Sequence, residues 1–405
     1  MSDQHTLKER ARQRALANFR GSPQALAAAE SLIDFLLGDM AELEARHGLQ
    51  WGDHANEVVL REIWKLSAAR GFYSYLLPRE LGGQGLSVSD MLAVREAAIL
   101  SGSIMAPHVL GDLSGPPRIG HMFKIATPHQ VATFLRPVCQ ADKAVCFALT
   151  EEGAGSDAAA IQTRATRTAT GWSLSGTKRF ISGGAYADLA IVMAVTDPDA
   201  GARGISAFFV DLHAPGVSKD SDYEVLTGKG DHANLIFDEV QLPAENLIGA
   251  EGKGLGLGMA RINVNRLIHC STIWGSAGLA LQLSLERAGA RRQFGRAIAQ
   301  FQSIQHMLAD MATSVFAGRA MMYETARQLD AGQDIRAQAS MCKLFAGEKG
   351  FQVADLAMQI HGGVGMLKGN PVEAIFRRLR MFRIVTGTSE IQRNTIAKAL
   401  LEADA

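Results

Sequence analysis

Apolar residues recur at helical spacing from Leu7 to about Cys139. SLIDFLLGDMAELEA (31–45) and EVVLREIWKLSAARGF (57–72) each carry an apolar stripe along one helical face, and Gly71 stops the second in a C-cap position. SVSDMLAVREAAILSG (87–102) opens with an N-cap choice between Ser87 and Ser89 and closes at Gly102. TPHQVATFLRPV (127–138) puts Pro128 in the first turn of a further helix. The piece between, PHVLGDLSGPPRIGH (107–121), is expected to be irregular at Pro116 and Pro117.

Near Ala144 the period changes. Short β-branched or aromatic runs follow: VCFALT, TRATRTA, WSLSGTKRFIS, LAIVMAV, ISAFFVD and NLIFDEVQL. Turn-forming pieces such as GSD, ATG, SGG and DPDAGARG separate them. After PAENLIG the helical period returns, predicting long helices over 252–289, 297–331 and 335–361 and shorter ones over 371–382 and 389–402. The pattern predicts three domains: helical 1–143, an all-β insert 144–248, and helical 249–405.

Composition narrows the function classes. The 41 basic and 41 acidic residues cancel, which argues against a polyanion-binding surface and hence against nucleic acid. Cys139, Cys146, Cys270 and Cys342 have no paired metal-ligand spacing, and reduced thiols are expected. The polar N-terminus, MSDQHTLKERARQR, runs into no signal-peptide core, and no apolar run is long enough to span a membrane. These features predict a soluble, cytoplasmic protein. EGKGLGLG (251–258) lacks GK[ST] and a preceding Rossmann strand, so it reads as a loop entering a helix. His361 in QIHGGVG has no partner at metal-ligand spacing and reads as a packed or hydrogen-bonded histidine; no metal is expected. There is no GxSxG elbow for a serine hydrolase.

Several segments then stand in one order: FALTEEGAGSD (147–157), SGTKRFISGG (175–184), VQLPAENLIGAEGKG (240–254), ARRQFGRAIAQFQSIQHMLADM (290–311), ASMCKLFA (339–346), QIHGGVGM (359–366) and GTSEIQR (387–393). Over residues 55–402 the chain resembles the acyl-CoA dehydrogenase family. The resemblance implies an α+β fold with an N-terminal helical domain, a central β-barrel or sandwich, and a C-terminal four-helix bundle. It implies FAD as cofactor. Phe147, Leu149, Thr150, Gly155 and Ser156 match the family's flavin segment, and Phe180, Ile181 and Ser182 match the wall along the ring. Phe180 stands where a tryptophan is usual, which removes an indole donor. Arg291, Phe294 and Gln302 match residues toward the flavin phosphates and adenosine, and Gln359, Gly362 and Gly363 match the pyrophosphate turn. Thr388, Ser389 and Glu390 match the last flavin-contacting motif. Ser156, Asn263, Arg266 and Gly387 match the side that takes the acyl-CoA thioester.

The family oxidises an acyl-CoA at C2 and C3, and a carboxylate removes the C2 proton. That base usually precedes the glycine of GTSEIQ, where this chain has Thr386, a neutral hydroxyl. In a minority of the family the base lies on the first long C-terminal helix, where this chain has Asn265. Neither site is filled. Glu390 is assigned to the flavin side, while Asp112 and Asp231 lie in loops that the sequence does not locate. FRRLRMFR (376–383) carries Arg377, Arg378, Arg380 and Arg383, read as a solvated or ion-paired face, with an acidic substrate group as the sharper alternative. HANEVVLREIWKLSAARGFYSYLLP (54–78) and RLIHC (266–270) faintly resemble the branch of the family fused to a phosphotransferase-like domain, whose base position is acidic.

Three functions stay open. The first is an acyl-CoA dehydrogenase-like enzyme with a relocated base and electron transfer flavoprotein as electron acceptor. The second is another family reaction: elimination, desulfination or enoyl-CoA reduction. The third is a silent flavoprotein subunit of a heteromer. A homodimer or homotetramer is implied by the family's shared flavin site.

Overall fold

Helix starts are set by side chains that cap them. After α1 (Ser2–Leu16), the side chains of Ser22, Asn56 and Ser87 each accept a backbone N–H from three residues on. They open α2 (Pro23–Phe35), α3 (Glu57–Ala69) and α4 (Val88–Leu100). Of the two candidate serines Ser87 is the cap, whereas Ser89 donates to Asp330 at 2.6 Å. The computed structural model describes residues 2–75, 77 and 79–403. Met1, Leu76, Pro78, Asp404 and Ala405 lie outside the described residues, and with them the outer ends of the first and last predicted domains and the end of the 54–78 stretch.

The chain forms two compact units. Met1–Asp53, Leu86–Ala106 and Asn263–Ala405 make the first; His54–Gly85 and Pro107–Ile262 make the second. The first unit is helical. It holds α1, α2, α4, most of α5 (Gly254–Ala290), α6 (Gln302–Asp330), α7 (Arg336–His361), α8 (Pro371–Met381) and α9 (Ser389–Ala403). Helix α7 packs on α6, α8 and α9, and α4 packs on α1, α2 and α6. Small residues permit the closest approaches: a Cβ at Gly318 would stand 1.9 Å from the Trp274 ring, and one at Gly350 would stand 2.3 Å from Ile273. Buried Glu96 on α4 accepts from Arg319 and Tyr323 of α6, both at 2.7 Å.

One helix boundary differs from expectation. Residues 297–301 do not belong to α6; Arg292–Gln293 pairs with Arg296–Ala297 in a hairpin, and a short 3-10 turn follows. Its two tip residues, Phe294 (φ 46°) and Gly295 (φ 79°), both take positive φ, as two-residue hairpin turns require. A phenylalanine in that position gives no turn signal. Pro116 and Pro117, by contrast, form a 3-10 turn inside the segment read as irregular.

The second unit is built on a curled seven-stranded sheet. Its strands are β1 (Val145–Ala148), β2 (Arg164–Arg167), β3 (Gly171–Ser182), β4 (Leu189–Val195), β5 (Ile205–Asp211), β6 (Val217–Asp220) and β7 (His232–Pro243). The order is β1-β4-β2-β3-β7-β6, with β5 also on β4. Strands β4 and β5 are covered on both faces, which is why LAIVMAV and ISAFFVD are continuous apolar runs. Ala190, Val192 and Phe208 enter one core with Trp172; Ile191, Met193 and Phe209 enter the other with Phe134. All four cysteines are buried free thiols. Among the described residues no helix is long and apolar enough to cross a membrane.

Candidate functional site

In the first unit the chain leaves α8, turns through Thr386 and Gly387, and enters α9. Both turn residues have positive φ, 59° and 91°. For a β-branched residue that conformation is strained, at a cost of about 1–3 kcal/mol, and it persists only where surrounding contacts enforce it. Those contacts are present. Buried Lys343 of α7 donates to the Gly387 carbonyl at 3.1 Å and also to the Phe382 carbonyl. Gln392 Nε2 donates to the Gly387 and Thr386 carbonyls at 2.9 and 3.3 Å. Thr388 Oγ1 accepts from the Ile391 N–H at the start of α9, and Ser389 donates to Glu348 at 2.6 Å.

The tip of the turn is polar but carries no carboxylate. Thr386 Oγ1 lies 3.1 Å from Nδ1 of His269, on α5. The His269 ring rests on Phe382, centroids 5.2 Å apart. His269 stands one helical turn beyond half-buried Asn265. Arg266, between them in sequence, is buried; its Nη1 donates to Asn263 at 2.9 Å and Ser340 at 3.0 Å, and its Nε has no partner. Burial lowers the Arg266 pKa, and it brings Lys343 down to about 8. Two buried cations therefore adjoin one turn, since Arg266 Nη2 would lie 3.9 Å from a Cβ at Gly387.

Glu390 is exposed and lies 3.6 Å from Arg393. Of the arginine run, Arg377 pairs with Glu373 and Arg383 with Glu348, at 2.6 and 3.0 Å. Burial works against charge on Glu348, but Ser389 and Arg383 hold its carboxyl below the ordinary value.

Elsewhere in this unit Arg291 directly follows α5 and is exposed, as are Gln302 at the head of α6 and Gln359 in the last turn of α7. Phe294, at the hairpin tip, is 93% exposed. Gly362 (φ 64°) ends α7, and neither it nor Gly363 has any atom within 4 Å of where a Cβ would stand. His361 Nδ1 donates to the Ala357 carbonyl at 2.9 Å; burial first, and the nearby Arg287 cation as well, lower its pKa. Arg287 Nε is buried without a partner.

In the second unit β1 runs out into Leu149, Thr150 and Glu151. Lys178 of β3, wholly buried, donates to the Leu149 carbonyl at 3.0 Å and to Glu151 at 2.7 Å. Glu151 also accepts the Gln162 and Thr163 backbone N–H groups. Burial brings Lys178 down to about 8 and opposes charge on Glu151, whose carboxyl Lys178 nevertheless holds below its ordinary value. The Arg179 N–H donates to the Thr150 carbonyl, and a register shift between Lys178 and Ile181 turns Phe180 outward. Phe180 has φ 57°, is 56% exposed, and donates its N–H to Asn234. Ile181 is buried beside it; Ser182 Oγ lies 3.0 Å from His232 Nε2. Gly155 and Ser156 are exposed, and Phe147 lies under the Arg261 guanidinium at 4.3 Å. Asp231 is buried and paired with His54 at 2.9 Å, while the Asp112 carbonyl accepts from Arg118.

Sequence reading missed His269, Lys343 and Gln392. The only available signal was the position of His269, one turn after Asn265 in RLIHC.

Family models for the acyl-CoA dehydrogenase middle domain and C-terminal domain match residues 146–240 and 252–401. The CarC subunit of the caffeyl-CoA reductase–Etf complex of Acetobacterium woodii is 36% identical, over 84% of this chain and 90% of its own length. The 3-(aryl)acrylate reductase of Clostridium sporogenes is 34% identical, over 92% of this chain and 98% of its own. A solved structure described as PigA with FAD and proline superposes with a TM-score of 0.86 at 27% identity, over 95% of this chain and 99% of that one.

Proposed function

Because this chain belongs to the acyl-CoA dehydrogenase family, FAD-dependent oxidoreductases acting on CH–CH bonds, we propose that it works between C2 and C3 of an acyl-CoA thioester with Thr386 in the usual place of the glutamate. The observation that carries this reading is the Thr386–Gly387 turn: strained, held by Lys343 and Gln392, and adjoined by Arg266.

The residues present suit FAD. An aromatic ring on a strained bulge, Phe180, offers an open face to a flat heterocycle, and Ile181 and Ser182 continue that wall. Leu149 and Thr150 follow β1 at a backbone fixed by Lys178 and Arg179. The unobstructed Gly362–Gly363 backbone, with Arg287 Nε unpartnered near His361, suits an anionic pyrophosphate, and Arg291, Gln302 and Gln359 add exposed donors. In this reading Phe147 and Gly155 are flavin contacts of the second unit, Thr388, Ser389 and Glu390 are flavin contacts of the first, and Phe294 contacts the cofactor of a second copy of the chain. Bound FAD supplies the two-electron acceptor, or donor, at C3. Asn263, Arg266 and Gly387 of the first unit hold the thioester, whose carbonyl gains negative charge when the C2 proton leaves; Ser156 is the residue of the second unit matched to the same ligand. Arg266 and Lys343 favour that charge electrostatically.

The absence of a carboxylate favours a second reading on the same site. A hydroxyl bonded to an imidazole can deliver a proton as well as accept one, which suits reduction of an enoyl-CoA. An electron transfer flavoprotein is the redox partner in either direction. The test is an anaerobic titration of the purified yellow protein. Saturated acyl-CoAs should bleach the flavin slowly, and the matching enoyl-CoAs should re-oxidise the reduced flavin faster. A protein that stays colourless after incubation with FAD, or a flavin indifferent to both series, overturns the reading.

A further inference from the structure

The polar partner of Thr386 changes what the missing carboxylate means. We infer that Thr386 and His269 together replace it, the hydroxyl passing the substrate C2 proton to and from the imidazole. The inference rests on the acyl-thioester reading above and adds the group that stores the proton. The contact joins residues far apart in sequence, 3.1 Å from Thr386 Oγ1 to His269 Nδ1, and it occurs at the residue held in a strained conformation by three other side-chain bonds to its turn. With the ring proton on Nε2, Nδ1 accepts the Thr386 hydroxyl and polarises it. The His269 ring is braced by Phe382, the residue whose carbonyl Lys343 also binds.

The step balances without an outside reagent. The C2–H bond breaks and an O–H bond forms at Thr386 Oγ1, while the proton already on that oxygen passes to Nδ1. The electron pair left at C2 moves into the thioester carbonyl as an enolate. Arg266 and Lys343, both buried beside the turn, favour that anion. Run backwards, the imidazolium returns its proton through the hydroxyl to C2. His269 acts through Thr386, so it is a positioning and proton-storing residue.

Exchange at C2 tests this without any oxidation. The holoenzyme is mixed in heavy water with acetyl-CoA, which has no C3, and with tert-butylacetyl-CoA, whose C3 bears no hydrogen. Deuterium in the recovered thioester is read by mass spectrometry, and the flavin spectrum reports binding separately. Wild type should exchange. His269→Gln keeps a hydrogen-bond acceptor for Thr386 but cannot take up a proton, so exchange should fall at least about 10²-fold with FAD content unchanged. Thr386→Val should do the same. Adding Thr386→Glu to His269→Gln should restore exchange, because a carboxylate at 386 no longer needs the imidazole. A merely structural role for His269 predicts no such rescue. Bound thioester that does not exchange in wild type, or exchanges equally in His269→Gln, overturns the relay alone. A flavin spectrum that responds to no acyl-CoA overturns the thioester reading and the relay with it.

Discussion

Gly387 shows how tightly the turn before α9 is specified. Its φ of 91° lies in a region that side chains rarely adopt, and a Cβ there would stand 2.8 Å from Gln392 Nε2. Gly387→Ala should therefore destabilise the protein by about 1–3 kcal/mol, read as a lower denaturation midpoint. The change should also disturb the Gln392 bonds that hold Thr386, so thioester binding should weaken in parallel. A variant with wild-type stability would mean that the turn relaxes freely. At this scale the sequence was informative about absence. A hydroxyl at 386 and an amide at 265 stand out against a motif that expects an acid. It was silent about the replacement, because the Thr386–His269 contact spans 117 positions and neither residue type announces a partner. Lys343 was equally hidden; a lysine in a helical run reads as solvated until its two carbonyl acceptors are seen.

At the scale of elements, the buried Lys178–Glu151 pair ties the segment that follows β1 to β3. Removing one partner leaves the other charge buried and unpaired, so Glu151→Gln or Lys178→Met alone should cost about 3–5 kcal/mol. The double variant should recover much of that, because a neutral pair avoids the desolvation of both charges. Urea midpoints of the four proteins decide it; additive losses would show that the two groups act independently. The pH dependence has a definite sign. The folded-state pKa of Glu151 is depressed, so its contribution is fully present above the unfolded value, about 4.3. It is lost as pH falls through the lower folded value, and the gap between wild type and Glu151→Gln should narrow in that acid window; it should narrow again as pH rises past about 8, where Lys178 gives up its proton. Elements themselves were largely legible. Continuous apolar runs marked β4 and β5, and Ser87, one of the two serines offered as a cap, opens α4; the caps Ser22 and Asn56 were not read from the sequence. The missed hairpin before α6 has a physical reason. Its turn places phenylalanine at positive φ, where asparagine or glycine would have signalled it, and Ala297, Ile298 and Ala299 continue a helical pattern that the backbone does not follow.

For the whole molecule, the 41 basic and 41 acidic residues cancel, so net charge neither opposes nor drives the proposed self-assembly, and exposed apolar side chains are the features to test for it. Phe294 is the sharpest apolar feature of this kind. It sits 93% exposed on a two-residue turn that costs backbone strain, close in sequence to exposed Arg291, with the Phe301 ring 6.1 Å away between centroids. A strained, solvent-facing phenylalanine is explained if a second copy of the chain, carrying its flavin, covers it. Full burial of a phenylalanine is worth about 1.5–3 kcal/mol, so Phe294→Asp should raise the dissociation constant of the assembly by roughly ten- to a hundredfold per contact. If Arg291 holds the flavin phosphates, as proposed, Arg291→Ala removes a partner that water does not replace, and should loosen FAD first and the assembly through it. The two variants are thereby separable. Excess FAD should restore the size of Arg291→Ala on a calibrated column with light scattering, and should fail to restore Phe294→Asp. If both variants keep wild-type size and flavin content at micromolar concentration, the hairpin is a solvent feature and the flavin site is complete within one chain.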